Sequence, residues 1–552
     1  MSRYPWARPG DANAFFGLML DNVAVMITLV GLLTLGGFDA EFVLTRMIPG
    51  TALGVLLGDL VYTWMAFRLA RKTGRTDVCA MPLGLDTPST FGVAFLVLLP
   101  VLAEAPKRLQ EAGLAAQPTA YDAQLLAWHV GMLVLILVGV FKIFFAPLGN
   151  VLRRLVPRAG LLGSLAAIAL ALIAFLPLAL DGIAGIPLIG LAALVVILVA
   201  LIAHRELPFK VPGALAAVLV GVVLYQAFFW LGRGLDVPFV KPMDDMKPLA
   251  VWDPSSLGSF YSATAGWWGV VWAMALQKLP VILPFAIATI VGGIDCTESA
   301  ASAGDEYDTG AVLWTEGVAS LVAGLLGGVL QTTPYIGHPA YKKMGGRAAY
   351  TLATALFIGL VGVFGLFPAL YAVLPKAAMF TILVFVGLEI TAQSFEATPK
   401  RHYPALALAM LPALAYLVVV VLKQMNPPGF VPARPDAQEL LVTLRCLANG
   451  FIITSLLWAA ALAMILDGRL RTAAVFFGIA GVFCFFGLIH SPLFDEQIGL
   501  PWHILPQLEP GLATAIQYQT PYHWVGAYAI VVVILLGLAA WPAKEEPIRE
   551  GA

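Results

Sequence analysis

Two carboxylates three residues apart, Asp295 and Glu298, stand near the end of an apolar run that begins around residue 279. Three-residue spacing puts them on one face of a helix. Two acids held close with little water cannot both ionise easily, so one of them can keep and carry a proton. Charged groups inside a membrane segment are costly, which makes each a candidate for function. The bland alternative is ordinary solvation in an inner vestibule leading to Asp305, Glu306 and Asp308. Two other stretches combine proline, glycine and hydroxyls. Residues 78–91 read Val-Cys-Ala-Met-Pro-Leu-Gly-Leu-Asp-Thr-Pro-Ser-Thr-Phe, and residues 328–341 read Gly-Val-Leu-Gln-Thr-Thr-Pro-Tyr-Ile-Gly-His-Pro-Ala-Tyr. Pro82 and Gly84 oppose a regular helix before Asp86. Asp86 or Thr87 can then cap a helix with Pro88 in its first turn, running past Ser89 to about residue 102. Thr332, Thr333 and Pro334 likewise precede a second helix start, followed by Tyr335 and His338. The hydroxyls of Thr87, Ser89, Thr332, Thr333 and Tyr335 can bond a polar solute or satisfy interrupted backbone. The imidazole of His338 suits proton coupling, its alternative being a structural hydrogen bond. Asp21 and Asn22 fall within the first apolar run and can line the same cavity, whereas Asp59 and Glu316 read as structural partners.

The elements that must position these residues are membrane helices. Of 552 residues 60% are apolar and only 12% charged, too few charges to wet a soluble chain of this length. A crossing needs roughly 20 mainly apolar residues to traverse a hydrocarbon core of about 30 Å, and its backbone must bond to itself there. Sixteen candidate crossings follow, near 13–35, 47–67, 78–102, 123–151, 159–179, 184–203, 212–232, 279–302, 310–328, 328–346, 348–374, 377–395, 403–422, 440–466, 471–490 and 523–541. The first is expected to be an anchor and not a cleaved signal, being long and preceded by only a short polar stretch. With the N-terminus inside, inner segments hold 20 lysines and arginines and outer ones 11, the bias expected of a multi-pass inner-membrane protein with both termini cytoplasmic. Residues 258–277, with Trp267, Trp268 and Trp272, read as an interfacial helix. Cys79, Cys296, Cys446 and Cys484 show neither metal-ligand spacing nor a disulfide framework. A net charge of −1 points to no nucleic-acid partner.

The third and tenth crossings are the interrupted ones, each third in a run of seven. Non-helical backbone at membrane depth persists only where protein or a cavity satisfies it. A helix beginning there aims free N–H groups at whatever sits before it. Two such segments at corresponding places point to a transport site between inverted repeats. No His-Glu-x-x-His, Ser/His/Asp set or nucleotide-binding loop is present, so neither an enzyme nor a primary pump is expected.

The run Leu326-Gly-Gly-Val-Leu-Gln-Thr-Thr-Pro-Tyr-Ile-Gly-His-Pro-Ala-Tyr-Lys-Lys-Met-Gly-Gly-Arg347 resembles the tenth span of the xanthine/uracil permease superfamily, most of all its adenine/guanine/hypoxanthine branch. Ile294-Asp-Cys-Thr-Glu298 and Leu313-Trp-Thr-Glu316 are similar to the acidic positions of that branch's eighth and ninth spans, and Pro82-Leu-Gly-Leu-Asp86 to its third. The resemblance covers about 13–466 and implies an all-α polytopic membrane protein of the 7+7 inverted-repeat transporter fold. It implies a core domain (1–155 and 279–375), a gate domain (156–232 and 376–466) and an outer loop with its interfacial helix (233–278). Residues 467–552 then add about two further spans and a short tail. It implies ion-coupled alternating access for a nucleobase or related heterocycle, often by a homodimer, with no cofactor. The coupling ion is a proton, or alternatively Na+, taken by Glu298, Asp295 or His338. The solute is expected against Asp295, Glu298, Asp86, Thr87, Ser89, Thr332, Thr333, Tyr335, His338 and Asn22. The branch usually carries a glutamate where this chain has Gly337-His338. An inorganic or carboxylate anion carrier of the same fold is the alternative, and a passive channel the next.

Overall fold

The computed structural model describes residues 4–541, except 184–185, 204, 209–210, 212, 241–250, 368, 370–375, 427–429 and 495–497. In chain order, α1 (Gly10–Leu35) is followed by α2 (Ile48–Thr73), which Gly74 ends in the left-handed region at φ 68°. Next come β1 (Leu83–Leu85) and α3, the latter built of Thr87–Gly92, a π turn over Val93–Leu98, and Leu99–Glu111. A reciprocal cap between Thr119 and Asp122 starts α4 (Ala120–Phe145). Then follow α5 (Gly149–Leu155), α6 (Arg158–Ile168), α7 (Pro187–Ile197) and α8 (Gly213–Leu235). The second half runs α9 (Ala265–Ser302), α10 (Thr309–Leu325), β2 (Thr332–Pro334), α11 (His338–Lys343), α12 (Ala349–Val363) and α13 (Lys376–Glu396).

Long helix, long helix, strand with helix, helix: the order of α1 to α4 recurs in α9 to α12. That recurrence, with a broken span third in each set, is the order of the 7+7 inverted-repeat fold. Among the described residues seven continuous helical stretches are each long and apolar enough to cross a bilayer unaided. The chain is an all-α polytopic membrane protein.

β1 and β2 lie antiparallel, Leu83 opposite Pro334, Gly84 opposite Thr333 and Leu85 opposite Thr332. Extended backbone in a membrane must find partners, because each unmet group costs several kcal/mol. Here the two interruptions meet each other. Tyr335 N donates to Pro82 O at 2.8 Å, and Ala80 N to Arg347 O at 2.7 Å. Side chains take the remainder. Asp59 accepts from Leu83 N at 2.9 Å, while the hydroxyls of Tyr307 and Tyr350 donate to Cys79 O and Ala80 O, both at 2.6 Å.

Small residues let the supporting helices close on one another. A Cβ on Gly139 would come 2.7 Å from Leu321 N, and one on Gly317 would come 2.9 Å from Ile143 N. The α4 and α10 backbones therefore touch at this pair, as small residues permit in membrane helix packing.

Two compact units divide the chain, residues 1–155 with 165–397, and residues 156–164 with 398–552. The second holds α14 (Tyr403–Met425), α15 (Pro435–Ala448), α16 (Phe451–Leu466), α17 (Leu470–Phe485) and α18 (Pro521–Ala540). α15 and α16 bend by 74° at Asn449 and Gly450, where Gly450 takes φ +72°. The Asn449 side chain donates to Ser491 O and Leu493 O at 2.7 and 2.9 Å. His490 bonds the Tyr528 hydroxyl at 2.6 Å and stacks on Trp524 at 4.1 Å, which ties α18 to this unit.

One expectation fails in the first unit. The interfacial helix at 258–277 is not separate from the eighth crossing, because α9 runs unbroken for 38 residues from its Thr264 cap. At 1.5 Å per residue that is about 57 Å, well beyond a core of about 30 Å.

Candidate functional site

The centre of the first unit is where β1 and β2 cross and α3 begins. Asp86 caps α3, its carboxylate accepting from Ser89 N at 2.8 Å, while Ser89 Oγ and Thr90 Oγ1 donate back to Asp86 O at 3.1 and 2.8 Å. The side chain of Thr87 lies outside the described residues. Asp295 on α9 is 0% exposed, and α9 packs against both β2 and the first turns of α3. Asn22 is buried and donates to Leu18 O of its own helix at 3.0 Å. Beside it Asp21 faces the Tyr335 hydroxyl. The Tyr335 ring covers Gly84, where a Cβ would come within 3.1 Å, and it stacks on Tyr341 at 6.1 Å. Asp86, Asp295, Asp21, Asn22 and Tyr335 are thus carried by α1, α9 and the two broken spans, around the strand crossing.

The hydroxyl-bearing strand residues have structural duties. Thr332 N donates to Ser320 Oγ at 3.1 Å and Thr332 Oγ1 donates to Glu316 O at 3.2 Å. Thr333, half-buried, pairs across to Gly84.

Glu298 and His338 sit elsewhere than the sequence suggests. Arg153, on α5, donates to Glu298 at 2.7 Å and to Glu306 at 2.9 Å. Glu298 therefore has a cation of its own near the C-terminal end of α9. His338 is 1% exposed, and its Nε2 lies 3.2 Å from Asp305 and 3.3 Å from Cys79 O. It belongs to an ion cluster around Asp305 in the connection between α9 and α10. Asp305 is a fully buried acid with several donors around it. Lys342 Nζ stands at 2.7 Å, Arg75 Nη1 at 3.2 Å, and Cys79 N donates at 3.0 Å. Burial pushes the Asp305 carboxyl up, but the hydrogen bonds and charges of His338 and Lys342 outweigh it and hold the carboxyl at about 2. Asp77 beside it is held below the usual range by Arg75.

Sequence reasoning missed Lys142. Its Nζ lies 2.5 Å from Glu316 Oε1 and donates to Thr332 O at 3.1 Å, with both side chains of the pair 0% exposed. Asp86 lies within range of both charges. The signal was present, since Lys142 is the one lysine or arginine within the long apolar run 123–151.

No protein-family model matches the chain, and no curated protein matches it. Among solved structures, the transmembrane domain of a cyanobacterium bicarbonate transporter, BicA, is similar over 75% of this chain and 95% of its own, at 17% identity and a TM-score of 0.38. SLC26A9 is similar over 76% of this chain and 65% of its own, at 11% identity and a TM-score of 0.37. Likeness this distant assigns neither a family nor a solute.

Proposed function

We propose that this chain is a secondary active transporter that moves a small polar solute by ion-coupled alternating access. The observation that carries the reading is the crossing of two broken spans beside two carboxylates, half-buried Asp86 and fully buried Asp295. Paired strands and a helix start at membrane depth are costly to build, and a solute site is the use that such segments serve. Solute would bind at the crossing, against Asp86, Asp295, Tyr335 and Asn22. A coupling proton would ride on Asp295. Residues 1–155 and 279–375 would form the moving core, with 156–232 and 376–466 as the gate. The N-terminus would face the cytoplasm, and a homodimer is the assembly that the permease resemblance implies.

The carboxylates favour a neutral or cationic solute rich in hydrogen-bond donors, and a nucleobase-like heterocycle meets that description. An anion carrier is the second reading. Lys142 favours it, as a buried ammonium beside the strand crossing, although Glu316 balances that charge at 2.5 Å. A thermal-shift screen of the detergent-purified chain separates the two. Stabilisation by purines, pyrimidines or ureides, lost in Asp295→Asn, supports the first. Stabilisation by bicarbonate, sulfate or dicarboxylates alone would replace it with the second.

A further inference from the structure

The Lys142–Glu316 pair holds no solute in the reading above, yet both its side chains are 0% exposed. Among the described residues two oxygens bond the ammonium. Glu316 Oε1 stands at 2.5 Å and the Thr332 carbonyl at 3.1 Å. Ser320 Oγ lies 3.3 Å from that same carbonyl oxygen and 3.1 Å from Thr332 Oγ1. An ammonium has three N–H donors, and two are used here. The Glu316 carboxylate also has the Thr289 side chain beside it, and its Oε2 is buried facing Gly293, where a Cβ would come 3.2 Å away. A carboxylate, a carbonyl of unwound backbone and neighbouring hydroxyls are what a monovalent metal cation requires at a broken span. Close contact of α4 with α10 at Gly139 and Gly317 delivers Lys142 into that place from within the chain.

We propose that Lys142 is a tethered cation, its ammonium filling a monovalent-cation cage made by the Glu316 carboxylate and the Thr332 carbonyl. The transporter then needs no free metal cation at β2, and coupling falls to the carboxylates at the strand crossing. The second clause rests on the transport reading, while the cage itself can be tested without transport. Lys142→Ala should leave an empty cage, and the melting temperature of the purified variant should be lower than wild type. Na+, K+ or methylammonium chloride should restore it saturably by several degrees, against choline chloride at equal ionic strength. Wild type should not respond. Nor should Lys142→Met/Glu316→Gln, which keeps both shapes without the charges and should fold. A Lys142→Ala protein that folds but shows no difference between small cations and choline overturns the proposal. So does failure of Lys142→Ala to fold in saturating small cation while the double variant folds, because Lys142 then only balances Glu316. Cation rescue of Lys142→Ala with no transport of any solute would uphold the cage and sink the transport reading alone.

Discussion

Replacing Asp305 with asparagine removes one charge and almost no volume, so it isolates the ion cluster between α9 and α10. Two routes give the size of the effect. Breaking a buried ion pair by removing one partner costs about 3–5 kcal/mol. Arg75 is 33% exposed and Lys342 15% exposed, so solvent screens part of their loss and the lower end applies. Independently, the carboxyl sits at about 2 against an ordinary value of 3.8; at 1.36 kcal/mol per pH unit this is about 2.5 kcal/mol. Both routes converge near about 2–3 kcal/mol. The sign is set by the direction of the shift. A carboxyl held below its unfolded value stabilises the fold above about pH 4 and loses that contribution as pH falls towards about 2. Tryptophan fluorescence on heating, in detergent, reads the difference. Asp305→Asn is expected to melt several degrees below wild type at pH 7.5, with the gap narrowing below pH 4. Equal melting at pH 7.5 would refute the reasoning, as would a gap that widens on acidification.

Three more outcomes separate structure from function. Glu298→Gln should lower stability by about 1–2 kcal/mol by leaving Arg153 short of a partner, and uptake of solute should survive; complete loss of uptake in a folded protein would return Glu298 to the coupling site. Gly84→Val drives a side chain into the Tyr335 ring and should cost about 1–3 kcal/mol, with solute stabilisation lost in the thermal-shift screen; an unaffected variant would mean that the strand crossing tolerates displacement. His490→Ala removes the bond to Tyr528 and the stack on Trp524, so it should cost about 2–4 kcal/mol; limited proteolysis should then show first cuts within 398–552, and cuts confined to 1–397 would contradict it.

The broken spans were legible because proline, glycine and hydroxyls mark interrupted helix by local chemistry alone. Their pairing was not, since opposing Leu83 to Pro334 is a contact between distant stretches that no local pattern encodes. Helical spacing correctly put Asp295 and Glu298 on one helix, but spacing names a face and not a partner. Arg153 on another element claims Glu298. His338 followed the strand as expected, yet its partner is the buried Asp305 of the 303–308 connection. The three acids Asp305, Glu306 and Asp308 of that connection were the visible clue. α9 ran longer than expected because a tryptophan-rich entry and an apolar span can share one helix when a cap starts it early. Lys142 needed only charge accounting.

The most direct test of the central claim is uptake into proteoliposomes loaded and diluted to impose a proton gradient. Radiolabelled purine and pyrimidine bases would be offered, with bicarbonate and sulfate in parallel. Transport should saturate with solute concentration, accumulate solute only while the gradient lasts, and disappear in Asp295→Asn without loss of folded protein. Flux that rises linearly with concentration and ignores the gradient would make the chain a channel, and gradient-driven uptake undiminished in Asp295→Asn would remove the strand-crossing carboxylate from the mechanism.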